Sequence, residues 1–76
     1  PQQITWQRAS LTYSPGNKTL IATYQNKKAE LHIGDDRSIV PEVFHKTLFE
    51  KRKGVQLNVV VEPLGNAFKI IRLLEK

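Results

Sequence analysis

Seventy-six residues, none of them cysteine or methionine, carry a formal charge of +5 and a pI near 9.8. A chain this short has room for one core, buries only about 60% of its unfolded surface, and has no thiols for disulfides or metal sites. Hydrophobic residues at 39% and charged residues at 25% exclude a disordered chain, and the basic balance leans toward anionic partners.

Pro1-Gln2-Gln3 opens straight into Ile4-Thr5-Trp6, without the basic-then-apolar order of a signal peptide. The longest apolar run is Val59-Val60-Val61, against the roughly 20 residues needed to span a bilayer. The expectation is one soluble domain over residues 1–76, with the cytoplasm the favoured compartment. Without a methionine, either an initiator preceded Pro1 or the chain is excised from a longer protein.

Turn chemistry divides the chain. Ser14-Pro15-Gly16-Asn17 and Pro63-Leu64-Gly65-Asn66 are strong turns, because Pro presets φ and Gly or Asn accepts a positive φ. Gln25-Asn26-Lys27-Lys28 is a weaker one, with Asn26 as the residue suited to the left-handed region. Runs rich in Thr, Val, Ile and aromatics between these turns predict strands over residues 4–13, 18–25, 28–34, 55–62 and 67–74. Asp35 to Gly54 reads as a loop and then a helix. Pro41 suits a first helical position, Glu42 the positive N-terminus, Lys51-Arg52-Lys53 the negative C-terminus, and Gly54 the stop. Val43, Phe44, Thr47 and Leu48 form its apolar stripe.

Alternation refines the strands. Ala29, Leu31 and Ile33 share an inner face, as do Val55, Leu57, Val59 and Val61. In the first strand Ile4 and Trp6 are even while Ala9, Leu11 and Tyr13 are odd. A one-residue slip at Gln7-Arg8 puts all five on one side, which is what a β-bulge does. Phe68 and Ile70 compete with Ile71 and Leu73 for the inner face of the last strand, and Val60 and Ile71 are candidates for an apolar outer surface.

The predicted fold class is mainly β with one helix, in the order β-β-β-α-β-β. A bulged first strand bends a short sheet toward closure, favouring a small five-stranded barrel, OB-like or SH3-like, with Phe44 and Leu48 plugging one end. An open α+β sandwich is the alternative. The resemblance to the OB-fold lies in chain order, a three-strand meander, a helix and a hairpin, without a family motif. It implies a ligand surface on strands two and three and the loops after strands one and four.

Catalytic and metal chemistry find little purchase. His32 and His45 lie on different elements with no metal-ligand spacing, and Asp35-Asp36 lacks the pattern of a calcium loop. A His32–His45 pair is the one arrangement capable of general acid–base cleavage of RNA, but an outward strand histidine and an exposed helix histidine account for both. No serine sits in a nucleophile elbow and no glycine-rich phosphate loop occurs. The chain is expected to be a non-catalytic module with no metal or cofactor.

Charge and aromatics remain. Residues 1–34 hold Arg8, Lys18, Lys27 and Lys28 against Glu30 alone, whereas the rest of the chain is nearly balanced. Tyr13 and Tyr24 end strands beside those cations. Rings that stack on bases beside cations that neutralise phosphates suit a single-stranded DNA or RNA. The candidate nucleic-acid-binding residues are Arg8, Tyr13, Lys18, Tyr24, Lys27, Lys28 and His32. The alternative partner is a protein, in an interaction or assembly domain or a homo-oligomer.

Overall fold

A computed structural model describes residues 2–75. Five strands form: β1 (Ile4–Ser14), β2 (Thr19–Tyr24), β3 (Lys27–His32), β4 (Val55–Leu64) and β5 (Ala67–Leu74). They close into a barrel in the order β1-β2-β3-β5-β4, with β4 returning antiparallel to β1 and β3 running parallel to β5. The spatial run β4-β1-β2-β3 is a Greek key. The open sandwich is thereby excluded.

The bulge falls where alternation places it. Trp6 pairs with Val59 and Ala9 with Leu57, so Gln7 and Arg8 together face Asn58. This slip lets Trp6, Ala9 and Leu11 all point inward, where each is buried. β5 resolves its ambiguous parity by the same device. Val60 pairs with Arg72 and Val61 with Ile70, leaving Ile71 as the extra residue. Phe68 and Ile70 therefore face the core on one side of the slip and Leu73 on the other. Three alanines, Ala9, Ala22 and Ala29, share the core with Trp6, small residues offsetting the largest one.

Two outward assignments need correction. Val60 is only 3% exposed and Ile71 is half-buried, so neither presents an apolar outer surface. The turns also depart from expectation. Lys18 (φ 53°) carries the positive φ after Pro15-Gly16, and Gln25 (φ 55°), not Asn26, carries it between β2 and β3. Gln25 and Gly65 are each the first of two loop residues and alone in having positive φ, as a type II′ hairpin requires.

The expected α-helix is instead a 3₁₀ turn at Glu42–Phe44 followed by a π turn at Lys46–Glu50. The wider π turn, closed by Lys51 N–H donating to the Lys46 carbonyl at 2.9 Å, brings two consecutive residues, Leu48 and Phe49, into the core. Leu48 and the partly buried Phe44 pack on the core as expected of an end plug, together with Val40, but Val43 is 68% exposed and Phe49 replaces it. The segment ends with Arg52 in the left-handed region (φ 56°), not with Gly54. A Cβ at Gly54 would lie 3.4 Å from Thr12 Cγ2 and 3.5 Å from the Leu11 carbonyl, ordinary van der Waals contact, so neither space nor backbone demands glycine there. No helix among the described residues is long and apolar enough to cross a membrane.

Candidate functional site

The barrel separates the aromatic residues into two groups. At the end holding the β2–β3 and β4–β5 turns, Tyr24 stacks on Trp6 with centroids 5.5 Å apart and planes 15° apart, and Phe68 meets Trp6 edge-on at 5.1 Å. Trp6 itself is 2% exposed, so its ring supports the other two. At the opposite end Tyr13 meets Phe49 edge-on at 4.8 Å, with the Arg37 guanidinium 4.3 Å from the Phe49 centroid. Tyr13 and Tyr24 thus do not share a face.

A groove of about 570 Å³ opens between β3 and the β4–β5 hairpin. Its existence follows from pairing. β3 and β5 are in register at only two positions, Ala29 with Phe68 and Glu30 with Lys69, and the two turns beyond those pairs stand apart. Lys27 and Lys28 line one side, Lys69 the other, with Leu64 and Phe68 as apolar lining and Asn26 and Asn66 at the turns. Glu30 is the one carboxylate in the lining, 3.9 Å from Lys28 Nζ with both side chains more than half exposed. Such a pair is weak, so the groove keeps a positive balance.

Of the seven candidate residues, Lys27 and Lys28 line this groove and Tyr24 stands beside it as the register partner of Lys27. The other four do not gather there. Lys18 is bound by Asp35 at 2.7 Å, and that hydrogen bond with its charge attraction raises the Lys18 pKa and lowers that of Asp35. His32 Nδ1–H donates to the Asn17 carbonyl at 2.9 Å, fastening β3 to the β1–β2 turn. Tyr13 packs at the far end, and Arg8 sits on the β1–β4 wall. His45 Nε2–H donates to the Val40 carbonyl at 2.7 Å, so both histidines hold backbone. Among the described residues no three potential metal ligands cluster.

Lys69, Phe68, Leu64 and the two asparagines went unselected in the sequence. Their signal was present only in combination. The β4–β5 turn is the fourth loop of the chain order, and Lys69 lies three residues beyond Asn66. No protein-family model matches the chain, and none of the curated proteins or solved structures compared with it gives a significant match.

Proposed function

We propose that this domain is a non-catalytic binding module on an OB-type barrel that takes single-stranded DNA or RNA along the groove between β3 and the β4–β5 hairpin. The observation that carries the reading is the groove lining, with Lys27, Lys28 and Lys69 around Phe68 and Leu64. Cations spaced about an apolar and aromatic floor match a chain of phosphates that also exposes flat bases. The OB assignment draws support from the strand order, a meander whose third strand meets the fifth in parallel while the fourth returns to the first. In that fold strands two and three and the loops after strands one and four form the ligand surface, and the groove takes in strand three and the second of those loops.

Fluorescence anisotropy with a labelled twelve-nucleotide thymidine strand tests this. Three lysine–phosphate contacts give a log Kobs against log salt slope of about −2, since single strands contribute roughly −0.7 per phosphate. The triple change Lys27→Glu, Lys28→Glu and Lys69→Glu should abolish binding. Unchanged binding by that variant, or none by the parent at low salt, would reject the reading.

Leu64, 65% exposed in the same groove, favours a second reading, a protein-binding module or homo-oligomer. That reading predicts a light-scattering mass that rises with concentration, or a stable protein partner, either one lost on Leu64→Ser. A strictly monomeric chain that binds the thymidine strand decides for nucleic acid.

A further inference from the structure

Arg8 is an arginine in a conformation that favours glycine. Its φ is 56°, and it occupies the bulge where Gln7 and Arg8 face Asn58 alone. A β-bulge of this kind re-aims a side chain, and glycine would satisfy the backbone without strain. The bulge forms one side of a cleft of about 390 Å³ lined by Gln7, Arg8, Gln56, Leu57 and Asn58. The Arg8 backbone N–H donates to Asn58 Oδ1 at 3.0 Å, which fixes the amide and leaves its Nδ2 hydrogens to donate elsewhere. The ion pairs among the described residues are Lys18–Asp35 and Lys28–Glu30, so no carboxylate of the described residues lies within 4 Å of the Arg8 guanidinium.

The geometry points to this cleft as a carboxylate-binding site for an acidic peptide segment, on a different wall of the barrel from the lysine groove. One guanidinium fork surrounded by neutral amides supplies a single positive charge and several donors. That matches a monoanionic planar carboxylate, which arginine holds through two parallel hydrogen bonds. A phosphate dianion would leave half its charge unmet, because no second cation lines the cleft. The amides of Gln7, Gln56 and Asn58 remain to bond the peptide backbone beside the carboxylate. The site is independent of the nucleic-acid reading.

A ¹⁵N-resolved NMR titration with acetylated, amidated tetraglutamate tests it, with tetraglutamine, inorganic phosphate and the thymidine strand as comparison probes. Tetraglutamate should give saturating shifts at the side-chain amides of Gln7, Gln56 and Asn58. Arg8→Gly, which suits the left-handed backbone, should weaken binding at least tenfold while the remaining spectrum is retained. Arg8→Lys, which keeps the charge but not the fork, should fall between, and the triple lysine variant should bind within twofold of the parent. No saturating shift, equal affinity in Arg8→Gly, or a phosphate or thymidine response as strong as the peptide's at these amides would overturn the proposal.

Discussion

Trp6 holds the barrel from inside while supporting the rings that flank the groove. Removing it leaves a large cavity and strands Tyr24 and Phe68 without their stacking partner, so Trp6→Ala should cost about 3–5 kcal/mol by denaturant unfolding. A variant losing under 1 kcal/mol would show that the core does not depend on this ring. Arg52 behaves oppositely. Left-handed backbone costs an ordinary residue about 1–2 kcal/mol, of which glycine's greater unfolded freedom recovers part. With φ at 56°, Arg52→Gly should gain roughly 0.5–1 kcal/mol in the same measurement. Two exposed carboxylates contribute to the acid limb. The Lys18 hydrogen bond lowers the Asp35 pKa, and the Ser38 hydroxyl and backbone N–H lower that of Asp36. Their contribution to stability is complete above the unfolded carboxylate value, roughly pH 4, and is lost as pH falls through the lower folded values. Lys18, whose pKa is raised, adds stability that persists below its ordinary value and is lost on the alkaline side. The double change Asp35→Asn, Asp36→Asn should therefore flatten the fall in melting temperature between pH 5 and pH 2, and an unchanged slope would assign that fall to other groups.

At the scale of elements, the strands and the single helical segment were legible, and the type of helix was not. The strands were marked by their composition and by alternation, clearest in β3, and even the slip at Gln7-Arg8 is written in the changed parity of apolar positions. The second slip, at Ile71, left two competing sets because both are used, one on each side of it. The apolar stripe of that segment was misread because three- and four-residue spacing assumes a regular α-helix. A π turn shifts the phase and buries Leu48 and Phe49 side by side, while Val43, in the preceding 3₁₀ turn, is exposed. Nothing local in the sequence announces such a turn; the barrel mouth it must fill decides it. Leu48→Ala should accordingly cost about 2–5 kcal/mol and Val43→Ser less than about 0.5 kcal/mol. Equal costs would restore the stripe read from spacing.

Over the whole molecule, the radius of gyration of 11.4 Å matches the roughly 11.4 Å expected of a compact chain of this length. Barrel closure was legible from the order of elements and the bulge, because a short bent sheet that closes removes its exposed edges. The candidate site was legible only in part. Charge density by segment pointed to Lys27 and Lys28, which the groove uses, and equally to Lys18, which Asp35 engages. Lys69 comes from β5, across a two-position parallel pairing that no local pattern encodes. Once the strands are placed in the ring, the +5 charge ceases to be one feature: it includes a lysine groove, an isolated arginine on the β1–β4 wall, Lys18 engaged by Asp35, and cations spread elsewhere along the chain. The central claim is that single-stranded nucleic acid follows the first of these. The most direct measurement is a ¹⁵N-resolved NMR titration with the twelve-nucleotide thymidine strand. The account predicts saturating shifts clustered at Asn26, Lys27, Lys28, Asn66, Phe68 and Lys69. Shifts clustered instead at Lys51, Arg52 and Lys53, or none at low salt, would contradict it.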